Sequence, residues 1–282
     1  MAKLGQHFLT DKHALEKIVS LLELKNDDFV LEIGPGHGEL TKELRFKNND
    51  LRIMAIEKDA ELIRWLQKIF SGDKNIEFIE GDALKVLPYL IHKSKFLNHD
   101  YKICGNIPYY ITGKLLRIIG ELDKKPDITV LTIQKEVAER ICAQPRMNLV
   151  RSRPRQQTSA TGTSGRPASN GMNRLAASVQ FWAEPKIAFI LPRSVFYPAP
   201  KVDSATVVLK LTPPRKISDK NYYKIVRALF AQPRKTILNN VSGGMGISKK
   251  ETAEKLGGIG IETSLRPQNL SIEDIIKIAG TF

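Results

Sequence analysis

Five short β-rich runs alternate with helical stretches in the first half of the chain, and this alternation constrains the fold more than any other feature. The helical stretches include residues 59–70 and 113–122. The β-rich runs are residues 29–34, 51–57, 76–82, 101–106 and 128–134. Strands separated by helices are typical of parallel sheets with crossover connections. The sequence therefore predicts an α/β fold with a parallel sheet and helices on both faces.

The elements at either end of this series are also predictable. Apolar residues recur at helical spacing after Thr10-Asp11, which predicts that an amphipathic helix opens the chain. They are Leu15, Ile18, Val19 and Leu22. Two later apolar runs, 186–192 and 204–211, have no helix-length spacer between them. We predict that they close one edge of the sheet, with at least one of them antiparallel.

The proline pair Pro213-Pro214 ends the strand pattern, and three helical patterns follow it, at 221–230, 248–256 and 272–280. We therefore predict two domains, the first over residues 1–213 and a small helical domain over residues 214–282.

One segment differs from its surroundings. Between Ile141 and Ala183 there is no acidic residue and every basic residue is arginine, and residues 151–171 are rich in Ser, Thr, Gly, Pro and Gln. Such a composition cannot form a core, so we predict a disordered insertion near residues 146–171. Two interpretations stay open, an additional arginine-rich RNA contact and a foreign insertion with no role.

Charge and composition restrict the class of partner. The formal net charge is +14 and the pI is about 9.7, which favours a polyanionic partner, nucleic acid before membrane, over a merely soluble basic surface. No apolar run approaches the roughly 20 residues of a membrane span, and the first residues resemble no signal peptide. We expect a cytoplasmic monomer. Cys104, Cys142 and the scattered histidines fit no metal site or disulfide framework.

A glycine-rich turn follows the first β-rich run of the series. Gly34, Gly36 and Gly38 lie between that strand and the next helix, where glycine lets the backbone turn tightly and approach a ligand. This arrangement predicts a nucleotide-like cofactor at the carboxyl end of the strand.

Carboxylates around this turn indicate which cofactor binds. Glu32 and Glu39 flank the turn and would repel a pyrophosphate, but they suit S-adenosylmethionine (SAM), which carries a sulfonium and an ammonium and no phosphate. Glu57 ends the second strand, where a carboxylate can accept ribose hydroxyls, and Asp82 follows the third, where it can accept the adenine amine. The pattern favours SAM over a dinucleotide.

The stretch Asn106 to Tyr110, in KICGNIPYYIT, follows the fourth strand and is predicted to face the same cleft. The Asn106 amide, with a backbone carbonyl held by Ile107-Pro108, can accept hydrogen bonds from an exocyclic amino group. The ring of Tyr109 can stack on a base extruded from the RNA. The alternative is an ordinary turn in which proline and tyrosine have only a structural role.

Several motifs occur in a fixed order along the chain. They are GQHFL (5–9), LEIGPGHGELT (31–41), IEKD (56–59), EGDAL (80–84), GNIPYYIT (105–112), QKEVAERI (134–141) and FYPAPKVDSA (196–205). Together they resemble the ribosomal RNA adenine N6,N6-dimethyltransferase family, which includes the small-subunit dimethyladenosine transferase and the macrolide-resistance methylases. The resemblance implies a Rossmann-like SAM-dependent methyltransferase sheet with a small C-terminal helical domain. The insertion departs from the family pattern.

The resemblance also implies roles for individual residues. The segment with Gln6, His7 and Leu9 is expected to close over SAM, although His7 stands where the family often has Asn. Asn106 and Tyr109 match the substrate-amine and stacking positions, and Phe196 resembles the second aromatic residue that sandwiches the target adenine. Without the resemblance, Phe196 would be interpreted as a core residue. The matching cofactor-binding positions are Gly34, Gly36, Glu57, Asp82 and Asn106.

Three functions follow as hypotheses. The first is an enzyme that dimethylates N6 of two adjacent adenines in small-subunit ribosomal RNA, with the RNA or a precursor of the small subunit as its partner. The second is a non-catalytic RNA-binding or ribosome-assembly factor on the same fold, and the third is a large-subunit methylase that confers macrolide resistance. The intact NIPYY motif and the long helical tail favour the first.

Overall fold

The computed structural model describes residues 6–93, 99–146 and 171–282. Contacts divide the chain into two compact units, Met1–Ala138 with Trp182–Pro213, and Glu139–Phe181 with Pro214–Phe282. One division therefore follows Pro213, as the sequence predicted. Residues 139–181, which the sequence analysis assigned to the first domain, group with the helical unit instead.

The helices and strands of the described residues are introduced here in chain order. They are β1 (Phe8–Leu9), α1 (Lys12–Ser20), β2 (Phe29–Ile33), α2 (Glu39–Lys47), β3 (Arg52–Glu57), α3 (Ala60–Ile69), β4 (Ile76–Glu80), α4 (Ala83–Lys93), β5 (Tyr101–Asn106), α5 (Thr112–Glu121), β6 (Ile128–Gln134), α6 (Lys135–Ile141), α7 (Arg174–Gln180), β7 (Ala183–Leu191), β8 (Phe196–Tyr197), β9 (Ser204–Leu211), α8 (Asp219–Leu229), α9 (Ile237–Met245), α10 (Lys249–Gly258) and α11 (Ile272–Thr281).

The first unit contains a sheet whose strands follow the order β4-β3-β2-β5-β6-β9-β7. The first five of these strands pair in parallel. Strand β9 lies antiparallel to both β6 and β7, so the prediction of an antiparallel closing edge is confirmed. Strands β1 and β8 form a separate antiparallel pair.

Burial explains why these runs form strands. Every residue of β2 is buried, as expected for a central strand covered by helices on both faces. The predicted first helix forms as α1, where the Asp11 side chain caps the helix by accepting a hydrogen bond from the Ala14 N–H. Its apolar residues Leu15, Ile18 and Val19 are buried in the same hydrophobic cluster as Val30 of β2.

The second unit is helical and has its own core. The ring of Phe181 stacks on that of Tyr222 in α8, with centroids 3.8 Å apart and planes 11° apart. The Tyr222 hydroxyl donates a hydrogen bond to the carbonyl of Ala177 in α7 at 2.8 Å. These contacts explain why residues 139–181 belong to this unit. No helix within the described ranges is long and apolar enough to span a membrane.

The predicted insertion lies outside the described residues over 147–170, but its two ends are described. The N–H groups of Arg146 and Met172 both donate to the carbonyl of Gln268, at 2.9 and 3.1 Å. The Asn269 side chain also donates to the carbonyl of Arg146 at 3.0 Å. The two ends are therefore held side by side by the helical unit.

Because the ends already meet, we expect that replacing residues 147–170 with a Gly-Ser pair does not destabilise the protein. Shortening the loop from 24 residues to two lowers its closure free energy by about 2 kcal/mol, so the melting temperature should not fall below that of the wild type. Thermal unfolding followed by circular dichroism measures this. Phe181→Ala, which removes a stacked core ring, is the positive control for a large decrease. A comparable decrease in the deletion variant would contradict the prediction.

Candidate functional site

The glycine turn between β2 and α2 has the backbone conformation that its sequence predicts. Gly34, Gly36 and Gly38 have φ angles of 70°, 60° and 86°, in the left-handed region that favours glycine. A Cβ atom at Gly36 would lie 2.8 Å from ring carbons of Phe8. One at Gly34 would lie 3.8 Å from the carbonyl oxygen of Asn106. The turn therefore lies directly beside the end of β5.

A cleft runs along the carboxyl ends of β2, β3 and β5 and the turn after β4. It contains about 800 Å³ of empty space, part of which is open solvent. The predicted site residues that line it are Gln6, His7, Gly34, Gly36, Glu57, Asp82, Asn106 and Tyr109. Residues from separate parts of the sequence thus meet at one edge of the sheet.

Glu57 at the end of β3 is buried and strongly hydrogen-bonded. One carboxylate oxygen accepts the N–H groups of Lys58 at 2.8 Å and Asp59 at 3.0 Å, and the other accepts the Gly36 N–H at 3.2 Å. A carboxylate accepts about four hydrogen bonds. Glu57 therefore orients the glycine turn and has capacity for about one more donor, fewer than the two ribose hydroxyls expected from the sequence.

Asp82 lies in the turn between β4 and α4. One oxygen accepts the Leu84 N–H at 3.0 Å, and the other lies 3.3 Å from the Lys58 ammonium. Burial alone raises the pKa of Asp82, but the Leu84 hydrogen bond and the Lys58 charge outweigh it and lower the pKa. Asp82 is therefore an ionised acceptor on the wall of the cleft, suited to a ligand amine.

Glu32 lies in β2, two residues before Gly34 of the glycine turn, and is only 1% exposed. Burial raises the pKa of its carboxyl to about 8. The Thr41 hydroxyl donates a hydrogen bond to this carboxyl at 2.6 Å, which opposes the increase in pKa, whereas the negative charges of Glu39 and Glu57 add to it. Among the described residues, its Oε1 atom has no hydrogen-bond partner.

Glu32 belongs to the lining of a second cavity. This cavity contains about 380 Å³ of empty space, part of which is open solvent, and it shares Phe8, Gly34 and Asn106 with the main cleft. Leu9 lines this cavity and not the main cleft. A cationic group bound in this cavity would favour the ionised form of Glu32.

Residues 6–10 are here called the N-terminal strap, and the first three of them line the cleft. The Asn106 side-chain N–H₂ donates to the carbonyl of His7 at 2.6 Å, which leaves the amide oxygen of Asn106 as the acceptor for a substrate. His7 Nδ1 is 2.7 Å from the carbonyl oxygen of Pro198. The strap is therefore tied both to β5 and to the segment after β8.

Tyr109 has its ring held from both sides. Its hydroxyl lies 2.8 Å from the hydroxyl of Ser204, a buried residue at the start of β9. The His7 ring lies 5.8 Å from the Tyr109 ring, centroid to centroid. Burial raises the pKa of Tyr109, so the phenol stays neutral, although the Ser204 hydrogen bond opposes this shift. The arrangement fixes the plane of an aromatic ring at the cleft.

Phe196, the other aromatic residue expected to contact substrate, is not brought to the cleft. It is 4% exposed and packs in the core cluster with Leu9, Leu191 and Val208. This position matches the interpretation as a core residue. The stacking role expected from the resemblance stays a prediction, because it would require the ring to leave this core.

Several cleft contacts were not identified from the sequence. Phe8, Lys58 and Tyr110 line the cleft beside predicted residues, and their positions within the GQHFL, IEKD and NIPYY motifs were the available signal. Ser204 is separated from Tyr109 by 95 positions. No sequence pattern connects these two residues, so only the fold reveals their contact.

The residues present fit SAM. Glu57 and Asp82 can accept ribose hydroxyl and adenine amine hydrogens, and the unpartnered Glu32 oxygen is suited to an ammonium. Acidic side chains at a glycine turn disfavour a pyrophosphate, which argues against a dinucleotide.

Comparisons with known sequences identify close relatives. The sequence profile of the family described as Ribosomal RNA adenine dimethylase matches residues 1–153 and 155–282. The chain is 36% identical over 280 residues to Ribosomal RNA small subunit methyltransferase A of Dehalococcoides mccartyi (strain CBDB1), covering 98% of this chain and 86% of that protein. It is also 36% identical to the protein of the same name from Mesoplasma florum, covering 98% and 96% of the two chains.

Solved structures share the fold. A dimethyladenosine transferase from Plasmodium falciparum has a TM-score of 0.72 and 26% identity, covering 96% of each chain. The 23S rRNA methyltransferase ErmE has a TM-score of 0.68 and 22% identity, covering 97% of this chain and 98% of that one. The second similarity bears on the fold alone. Together they confirm the predicted Rossmann-like methyltransferase fold.

The pKa of Glu32 predicts a pH-dependent effect of Glu32→Gln. The carboxyl titrates near pH 8 when folded and near 4.5 when unfolded, so between these values the folded state holds the additional proton and rising pH destabilises the wild type. Glutamine removes this penalty. The free energy of unfolding of the variant minus that of the wild type should therefore increase between about pH 5 and pH 8, by at most about 5 kcal/mol.

Denaturant unfolding at several pH values measures this difference. Glu184→Gln, which replaces an exposed carboxylate in β7, is the matched control and should show no such trend. A difference for Glu32→Gln that stays constant with pH would show that the carboxyl is already ionised in the folded protein.

Proposed function

Because the chain belongs to the ribosomal RNA adenine dimethylase family, we propose that it transfers methyl groups from SAM to N6 of two adjacent adenines in small-subunit ribosomal RNA. The observation that carries the proposal is the cleft in which Asn106 and Tyr109 lie beside the glycine turn and the strand-end carboxylates. This geometry provides for a cofactor and a planar base at one edge of the sheet.

The small subunit is favoured by the nature of the relatives. Those at 36% identity over nearly the whole chain are named small subunit methyltransferases. The likeness to a 23S rRNA enzyme concerns the fold only. We propose that the protein acts in the cytoplasm as a monomer, on the small subunit or its precursor. The net charge of +14 supports an RNA partner.

Binding of SAM would use the acceptors already described. Glu57 accepts a ribose hydroxyl, Asp82 the adenine amine, and the cavity beside Glu32 accommodates the ammonium end. Gln6 and His7 of the strap lie on the same cleft and contribute to its closure. When bound, SAM supplies an electrophilic methyl group on its sulfonium.

Asn106 orients the attacking amine. The N6 lone pair of adenine is delocalised into the ring, so the amine is a weak nucleophile. The NH₂ group of Asn106 already donates to the carbonyl of His7. The side-chain oxygen of Asn106 is therefore free to accept a hydrogen bond from one N–H of the adenine amine. A second acceptor is a backbone carbonyl of the adjoining Ile107-Pro108 link. Hydrogen bonds to both N–H groups favour a tetrahedral nitrogen, whose lone pair is no longer delocalised into the ring and can attack the methyl group. This is an effect of positioning and electrostatics.

Tyr109 holds the plane of the base. Its ring is fixed by Ser204 on the hydroxyl side and bordered by His7. Stacking on an aromatic ring contributes about 1–3 kcal/mol per base, which offsets part of the cost of extruding the nucleotide. The first methylation leaves one N–H on N6, so one of the two acceptors can still orient the amine for the second transfer.

The direct test is a methylation assay with labelled SAM and small-subunit particles that lack the modification. We expect two adjacent adenines to carry the label, located by primer extension, and large-subunit RNA to stay unlabelled. Labelled large-subunit RNA would support the resistance-methylase alternative. RNA binding without any labelling would support the non-catalytic factor.

Asn106→Ala should lower kcat by about 100-fold or more, because it removes an acceptor that acts on the reacting amine. Affinity for RNA should change less than about threefold, because Tyr109 still holds the base. Single-turnover rates at saturating SAM separate the two effects. Asn49→Ala, at an exposed asparagine after α2, is the control and should match the wild type. A kcat for Asn106→Ala near that of the wild type would exclude the proposed role.

A further inference from the structure

The two adjacent aromatic residues of β8 have opposite environments. Phe196 is 4% exposed, whereas Tyr197 is 76% exposed. Successive side chains of a strand point to opposite faces, so burial of Phe196 in the core directs Tyr197 outward. The exposed aromatic ring of this segment is therefore that of Tyr197.

The pairing of β8 with β1 shows which face Tyr197 occupies. Phe8 is directly opposite Tyr197, and Leu9 is opposite Phe196. Residues directly opposite in an antiparallel pair lie on the same face. Phe8 lines the cleft, and its ring lies 4.4 Å from that of His37 in the glycine turn. Tyr197 thus shares the face that borders the cleft, while Leu9 and Phe196 share the face toward the core.

The segment that carries Tyr197 is held at several points. The Thr10 N–H and hydroxyl both donate to the carbonyl of Val195, at 3.0 and 3.2 Å. After Tyr197, the carbonyl of Pro198 lies 2.7 Å from His7 Nδ1. The Asp203 side chain accepts the N–H of Arg193 at 3.2 Å. A base that stacks on Tyr197 would therefore meet a pre-ordered backbone, which reduces the entropic cost of binding.

The charge around Tyr197 indicates the class of ligand. Arg193 and Lys201, four residues before and four residues after Tyr197 in the sequence, are both exposed. An exposed aromatic ring in a segment that also carries exposed cations suits single-stranded nucleic acid, whose bases stack and whose phosphates are attracted by the cations.

We propose that Tyr197 is a stacking platform for a nucleotide that flanks the target adenine in the RNA substrate, an assignment that rests on the proposed function. The target base enters the cleft against Tyr109, and the neighbouring unpaired base lies on Tyr197 at the border of the cleft. Stacking of this kind is tolerant of base identity, so Tyr197 contributes to affinity for an unpaired strand and not to the choice of base.

The test compares Tyr197→Ala with Tyr197→Phe, which keeps the ring and removes the hydroxyl. The control is Phe46→Ala, which removes another exposed aromatic side chain, 83% exposed, near the end of α2 remote from the cleft. The probe is a single-stranded segment of the small-subunit RNA with 2-aminopurine beside the target adenines. Its fluorescence reports stacking, and titration with protein gives the dissociation constant.

We expect Tyr197→Ala to weaken RNA binding about fivefold or more and to reduce fluorescence quenching at the flanking position. Tyr197→Phe and Phe46→Ala should stay within about twofold of the wild type. In all three variants, the dissociation constant for SAM and the kcat at saturating RNA should equal those of the wild type. This result would show that Tyr197 binds the RNA strand and is not part of the cofactor site. Melting temperatures near that of the wild type show that the variants are folded.

The proposal would be overturned if Tyr197→Ala bound RNA and quenched the fluorescence as the wild type does. It would also be overturned if this variant lost affinity for SAM alone. Failure of the proposed function gives a different result: the wild type would methylate no RNA, whatever the effect of Tyr197 on binding. If the wild type methylates RNA and only Tyr197→Ala loses the fluorescence quenching, the proposed function and the role of Tyr197 are both supported.

Discussion

The parallel pairing of β2 with β3 on one side and β5 on the other is the constraint on which the site depends. Ile33 is paired with Ile56 and Glu32 with Cys104, so Gly34, Glu57 and Asn106 follow at about the same level of the sheet. A side chain at Gly105 would collide with the carbonyl oxygen of Ile33, so glycine permits β5 to pair closely there. A shift of register in either pair would separate the glycine turn from the amide of Asn106.

The molecule combines opposite local charges. Its net charge is +14, yet the cleft has Glu57 and Asp82 on its walls. An acidic cleft suits a cofactor that carries cationic groups, and a basic exterior suits an RNA polyanion. Glu57 is buried at the end of β3 and Asp82 is partly buried in the turn after β4, so both carboxylates lie in the cleft and not on the open surface.

The strap contacts residues of the proposed cofactor site and of the proposed base site. Its residue His7 accepts the hydrogen bond of Asn106 through its carbonyl, and its ring lies near both Pro198 and Tyr109. The same few residues thus contact Asn106, Tyr109 and the segment that carries Tyr197. Closure of the strap over a cofactor would organise the RNA side of the cleft at the same time.

The sequence by itself determined the order of strands and helices, the parallel sheet, the glycine turn and the positions of Glu57, Asp82 and Asn106, because periodicity and turn chemistry are local properties. It did not determine that Leu9 lines a second cavity, that Ser204 fixes Tyr109, or that residues 139–181 join the helical unit. In the FYPAPKVDSA motif it also left open which aromatic side chain is exposed. The pairing of β8 with β1 decided that, since Phe196 completes the core and Tyr197 therefore points away from it. Such choices depend on packing between residues far apart in the chain, which only the tertiary structure brings together.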